Sequence, residues 1–243
     1  MTIIIPMAGL SSRFTKAGYT LPKYMLYIKD KSLFNLAISS FKNYFQSCTF
    51  VFIARNAFDT ETFIKEECKI LGIKSFKIIM LAHSTSGQAE TVLKGIMEAK
   101  ISENESLLIF NIDTFRPEFK FPSNIDNWDG YLETFKGSGA NWSYARTESL
   151  KSTKVVETAE KREISDNCST GIYYFKEVHD FIYAYNQHRK STEGKSDMEL
   201  YVAPLYNQLI CIGKEIHIVT IDRDKVIFCG VPQEYIDYLT AAI

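Results

Sequence analysis

Four short apolar runs constrain this chain before any motif is considered: Thr2–Pro6, Thr49–Ala54, Lys77–Leu81 and Leu107–Ile112. They are rich in β-branched and aromatic residues, the texture of strands buried on both faces of a parallel sheet. Between them lie helical patterns, from about Leu33 to Phe45, over Asp59–Leu71 and over Gly87–Lys100. Asp59 or Thr60 suits the cap of the second, and Gly72 its stop. Strand–helix alternation predicts an α/β fold, a mixed but mostly parallel sheet flanked by helices and linked by right-handed crossovers. Ligands bind such sheets beyond the carboxyl ends of the strands. The loop after Ile5 and the residue Asp113 both fall there.

From about Gly130 the texture changes. Short strands are expected at Tyr131–Phe135, Asn141–Arg146, Lys154–Thr158 and Gly171–Phe175, separated by turns rich in Gly, Ser and Lys. Helices are expected at Val178–His188 and Met198–Ile212, strands at Glu215–Ile221 and Val226–Cys229, and a last helix after Pro232. The 243 residues suit a single domain spanning 1–243. Its two halves, about 1–115 and about 116–243, would share one continuing sheet, with a small lobe in the second.

Twenty-eight Lys and Arg stand against 29 Asp and Glu, which argues against a generally basic nucleic-acid binder but leaves room for a local cationic pocket. No apolar run reaches the ~18 residues of a membrane span, and the opening residues lack the basic leader of a signal peptide. Cys48, Cys68, Cys168, Cys211 and Cys229 are scattered and never spaced C-x-x-C. They read as reduced core thiols of a cytoplasmic protein, and with four scattered histidines zinc is not expected.

The densest chemical signal is the opening stretch I-I-I-P-M-A-G-L-S-S-R-F-T-K-A-G-Y-T-L-P-K. A buried strand feeds a loop of Ala8, Gly9, Leu10, Ser11 and Ser12, where glycine allows close backbone approach and the hydroxyls can donate. Arg13 can clamp phosphate oxygens bidentately. Lys23 follows Pro22, which stiffens its approach. Two cations at one loop suit a triphosphate, whose oxygens gather charge during substitution. The glycine spacing is not G-x-G-x-x-G, and no G-K-[ST] occurs in the loop.

This stretch resembles the N-terminal signature of the sugar-phosphate nucleotidyltransferases, G-x-G-x-[ST]-R-[LF] followed by P-K, departing from it at Ser11, where the second glycine usually sits. The resemblance extends over most of the chain and implies a Rossmann-like fold of the GT-A type. It implies a nucleotide-binding first half and an acceptor-binding second half. Ser86-Gly87-Gln88-Ala89-Glu90-Thr91 looks like the family's turn and helix start, placing Gly87 and Gln88 at the base and ribose. Asp113, closing Phe110-Asn111-Ile112-Asp113, looks like the strand-end aspartate that binds Mg²⁺. A hard, oxygen-seeking ion bridging to phosphate suits a carboxylate there.

Glu160-Lys161 with Ser169-Thr170-Gly171-Ile172-Tyr173 resembles the family's E-K…T-G-[IL]-Y block. Lys161 would then hold the acceptor phosphate beside Glu160, with Thr170 and Gly171 lining the acceptor pocket. Gly230-Val231-Pro232-Gln233-Glu234-Tyr235 resembles the G-T-P-E-[DE]-[LY] segment. An aspartate two residues before that glycine often supplies a second metal ligand. Phe228 stands there in this chain, and Asp222 or Asp224, one strand earlier, could substitute, with Asp224 the favoured one. Tyr173, Tyr174 and the tyrosines of Met198–Ile212 read as packing residues.

The implied reaction is attack by an acceptor phosphate on the α-phosphorus of a nucleoside triphosphate, releasing pyrophosphate. The opening string and Trp142-Ser143-Tyr144 look most like capsule and surface-polysaccharide members, among them the CTP:phosphoglutamine cytidylyltransferases. The expectation is therefore CTP as donor, a small phosphorylated acceptor and no nucleic-acid or membrane partner, with homo-oligomers allowed. Thymidylyl or uridylyl transfer to a hexose 1-phosphate is the alternative. Outside the class stand a GT-A glycosyltransferase, for which Asp113-Thr114-Phe115 lacks the second aspartate of D-x-D, and a non-catalytic nucleotide-binding domain.

Overall fold

The computed structural model describes residues 1–192 and 199–241. In chain order the strands are β1 (Thr2–Pro6), β2 (Tyr27–Ile28), β3 (Lys31–Ser32), β4 (Thr49–Arg55), β5 (Ser75–Leu81), β6 (Leu107–Phe110) and β7 (Thr114–Phe115). They continue as β8 (Gly130–Lys136), β9 (Ser143–Thr147), β10 (Val155–Glu160), β11 (Asn167–Phe175), β12 (Ile216–Ile221) and β13 (Ile227–Phe228). The helices are α1 (Ser12–Lys16), α2 (Leu33–Ile38), α3 (Thr60–Leu71), α4 (Gln88–Ala99), α5 (Val178–Ser191), α6 (Tyr206–Cys211) and α7 (Pro232–Ala241).

Nine strands form one sheet, with β6, β1, β4 and β5 as its parallel core. Ile4 faces Val51 on one side and Ile109 on the other. The nine-residue β11 runs antiparallel to β6 and also pairs with β8 and β9, so the two halves of the chain share a single sheet. Alternate side chains of the parallel strands serve opposite faces. Ile3, Ile5, Phe50 and Phe52 pack with α2 and α3, whereas Ile4, Val51 and Ile53 pack with α4, α5 and α6. Burial on both faces is why these strands read as unbroken apolar runs. Fully burying one such phenylalanine contributes roughly 1.5–3 kcal/mol, and Phe41 meets Phe110 edge-on at 4.8 Å in the first of these layers.

Two helical expectations change. The pattern from Leu33 to Phe45 divides into α2 and a 3₁₀ stretch, Ser39–Tyr44, because Phe41 leaves helical geometry at φ −102°. The expected helix over Met198–Ile212 shrinks to a 3₁₀ turn, Ala203–Leu205, followed by α6, with Met198 outside the described residues. Pro204 cannot continue a long helix and instead opens the short turn. Four cysteines are buried as expected, but Cys211 is exposed. No helix among the described residues is long and apolar enough to cross a membrane.

Candidate active site

Beyond the carboxyl ends of β1 and β6 lies a cavity of about 700 Å³, within the roughly 300–1,000 Å³ usual for small-ligand sites. Ala8, Gly9, Leu10, Ser11, Ser12 and Arg13 line one side of it. Ser11 sits at φ 50°, ψ 31°, the left-handed geometry that glycine adopts freely and serine at a cost of about 1–2 kcal/mol. Its carbonyl accepts from Phe14 N at 2.9 Å and Thr15 N at 3.1 Å, which opens α1. Phe14, buried edge-on against Tyr19 and Tyr235, pins the loop to the core. The departure from the signature at Ser11 is thus absorbed by a backbone strained into the glycine-like turn.

Pro22 leads Lys23 into a 3₁₀ turn, Lys23–Met25. There Lys23 N donates to Ser11 Oγ at 3.4 Å and Lys23 Nζ to Asp113 Oδ2 at 2.5 Å. Ninety residues apart in sequence, this cation and carboxylate form a part-buried pair in the cavity wall. The ladder between β7 and β13 sets Phe228 opposite Thr114, and Cys229 N donates to the Asp113 carbonyl at 2.8 Å. That clasp brings Gly230 and Glu234 to the site. Burial, with the charges of Glu234 and Asp113 added, pushes the Cys229 thiol up to about 12.

Gly87 and Gln88 line the cavity where α4 begins. Gly87 has φ 147°, and an added Cβ would fall 2.5 Å from both the N and the O of Leu200. That close approach lets the chain at 199–201 lie across the helix start, with Leu200 N on the Ser86 carbonyl and Ala89 N on the Leu200 carbonyl, each at 2.9 Å. Gln88 Nε2 donates to Asn111 Oδ1. Asn111 in turn fills the space beside Gly171, where a Cβ would meet its Nδ2 at 2.5 Å.

The other end of the cavity is assembled from β9, β10 and β11. Glu160 lines the cavity, paired in register with Ser143, whose hydroxyl donates to its carboxylate. Burial raises the Glu160 carboxyl above its ordinary value, although Ser143 and Lys161 pull against that shift. Tyr173 donates to Ser143 Oγ at 3.2 Å, its own phenol pushed up to about 12 by burial. Trp142 and Phe228, with ring centroids 4.7 Å apart, supply an aromatic wall.

Four expectations need correction or refinement. Asp224 lies in the exposed turn Arg223–Lys225 and does not line the cavity. β12 ends at Ile221, and the chain returns to the site only with β13. Lys161 stands at the rim instead of in the wall, its ammonium 4.5 Å from the centroid of the Tyr201 ring and 4.0 Å from Glu199. Thr170 lines the cavity with Gly171, but its hydroxyl is committed to Glu133 at 3.1 Å, within the buried pair that Glu133 makes with Arg116 at 2.9 Å. The reading of Tyr173 and Tyr201 as packing residues changes too, since both line the cavity, whereas Tyr206 is fully buried as expected. Asn111, Trp142, Ser143 and Glu234 also line it; they fall within the motifs above but were given no site role, and Glu199, which lines it too, fell in the expected packing helix. Pro204, interrupting an otherwise helical pattern, was the one cue that 199–201 runs free of a helix.

No family model and no curated protein matches the chain. Solved structures do. The nucleoside-diphosphate-sugar pyrophosphorylase from Vibrio cholerae RC9 shares 50% sequence identity over 98% of this chain and 99% of its own, with a TM-score of 0.92. A UDP-glucose pyrophosphorylase from Acinetobacter baumannii aligns over 99% of this chain and 92% of its own, with 13% identity and a TM-score of 0.71. The inositol-1-phosphate CTP transferase from T. maritima aligns over 99% of this chain and 94% of its own, with 12% identity and a TM-score of 0.71. The last two show likeness of fold.

Proposed function

The chain belongs to the nucleoside-diphosphate-sugar pyrophosphorylase family of nucleotidyltransferases, and from that premise we propose that it transfers a nucleoside monophosphate from its triphosphate to the phosphate of a small acceptor, releasing pyrophosphate. The observation that carries this reading is the convergence of Arg13, Lys23 and Asp113 on one cavity beyond the ends of β1 and β6. The acceptor's phosphate monoester has a second pKa near ~6 and is largely dianionic at neutral pH. It attacks without a general base, and among the described residues no histidine lines the cavity. What the protein supplies is alignment and charge neutralisation.

Lys23 follows the charge that builds on the α-phosphoryl oxygens, and Arg13 steadies the departing pyrophosphate. The loop 8–12, Gly87 and Gln88 hold the nucleotide. Glu160 accepts from donor groups of the acceptor, and Lys161, swinging from Tyr201, reaches its phosphate. The site suits a divalent ion: Asp113 offers a part-buried carboxylate, and a Cβ on Gly230 would stand 3.1 Å from Asp113 Oδ2 and 3.6 Å from Glu234 Oε2. The missing side chain keeps room at that carboxylate. Mg²⁺ held by Asp113 would supply charge neutralisation at the phosphates.

CTP is the donor this reading favours, on the resemblance of the opening string to capsule and surface-polysaccharide members. Uridylyl or thymidylyl transfer to a sugar 1-phosphate is the second reading, favoured by the sugar pyrophosphorylase identity of the Vibrio relative. Pyrophosphate release measured across CTP, UTP, dTTP, ATP and GTP, each with a panel of phosphorylated acceptors, decides between them. Turnover is expected to vanish in EDTA and return with Mg²⁺. Undiminished release in chelator removes the metal from the mechanism, and no release with any pair removes the reaction.

A further inference from the structure

We propose that Glu234 supplies the second carboxylate to the divalent ion at Asp113, an inference that rests on the metal reading above. At Phe228 the chain offers no oxygen: the ring packs against Trp142 and Phe135, with the Arg223 guanidinium 4.9 Å from its centroid. Two residues on, Gly230 is held against Asp113 by the clasp of Cys229 N on the Asp113 carbonyl. A Cβ at Gly230 would lie within 4 Å of both carboxylates. The two acids therefore flank one residue that has no side chain to come between them.

Glu234 is also already aimed. It stands at the third position of α7, and its Oε2 accepts from Gly230 N at 2.8 Å and Val231 N at 3.2 Å. Both bonds fall on Oε2, leaving Oε1 without a hydrogen bond from the described residues. The local charge leaves room for a cation. Asp113 pairs with Lys23, and Glu234 forms no ion pair among the described residues, so one ammonium is set against two carboxylates. Hard oxygen donors of this kind are what Mg²⁺ and Mn²⁺ take.

The competing role is purely structural, since a glutamate at this helix position closes a capping box. Glutamine serves the box equally well but carries no charge, so Glu234→Gln separates the two roles. The full-length protein is titrated with Mn²⁺ alone, free ion being read by electron paramagnetic resonance, beside Asp113→Asn and the unaltered chain. Glu234→Gln is expected to keep the melting temperature of the metal-free protein and to weaken Mn²⁺ binding about tenfold or more. Adding Phe228→Asp to Glu234→Gln is expected to restore binding. If only Asp113→Asn weakens binding, Glu234 is a cap and the proposal fails while the metal reading stands. If neither does, or the unaltered chain binds no Mn²⁺, both fall.

Discussion

The two ends of the cavity are built by opposite means. At the end proposed to hold the nucleotide, residues 8–13 are consecutive and rigidly founded. They leave a strand whose neighbours β4 and β6 are both parallel and buried, and Phe14 locks the following turn into the core. At the end proposed for the acceptor, Trp142, Glu160, Gly171 and Tyr201 arrive from four separate segments, and Lys161 and Glu199 remain half exposed. One end can be specified by a short string, while the other exists only after the antiparallel strands have paired. An invariant chemistry suits the first construction, and a changeable substrate suits the second.

The largest expected effect tests whether the ends are joined at the Lys23–Asp113 pair. Lys23→Ala and Asp113→Asn should each lower turnover by at least about 10²–10³ while leaving the fold intact. Near-normal pyrophosphate release from either purified variant dissociates that residue from the chemistry. Gly171→Ala strikes the seam between the ends. With φ at 91° and Asn111 Nδ2 in the way, roughly 1–3 kcal/mol of backbone strain should appear. At about 2–4 °C per kcal/mol, calorimetry should record a loss of several degrees in Tm. Displacement of Asn111 should also weaken nucleotide binding through Gln88. An unchanged melting temperature would mean the seam yields more easily than its geometry implies.

Acid should affect the acceptor end first. Burial raises the Glu160 carboxyl, so as pH falls it takes up a proton before an ordinary glutamate does, and the KM for the acceptor should rise. Glu160→Gln should flatten that dependence without altering the KM for the nucleotide. The linked stability has the opposite sense. A folded pKa above the unfolded one gives a contribution present below the unfolded value and lost as pH rises through the folded value. The smallest effect concerns Lys161→Ala. An exposed pair is worth about 0–1 kcal/mol, so Tm should hold while the acceptor KM rises. An unchanged KM would leave Lys161 as a rim residue only.

The same contrast explains what was legible in the sequence. The parallel core strands and the loop 8–13 with Lys23 could be read because their determinants are local: apolar runs, a turn, a proline. Asp113 could be read because it ends such a run. Asp224 misled because nearness to Phe228 in sequence says nothing of the ladder between β7 and β13, which returns the chain to the site only after the turn at 223–225. Glu199 and Tyr201 were hidden because their place depends on Gly87, more than a hundred residues earlier, allowing backbone to lie against backbone. Thr170 was read as a lining residue and does line the cavity, but only the fold shows its hydroxyl turned to Glu133.

The clasp of Cys229 on Asp113 has a consequence for the order in which the protein becomes competent. During synthesis the opening loop and its lysine leave the ribosome some two hundred residues before the segment that steadies the aspartate. Tyr235, whose ring packs on Phe14, arrives in that same late segment. The loop's anchor and the aspartate's clasp are therefore completed together, by residues 229–235.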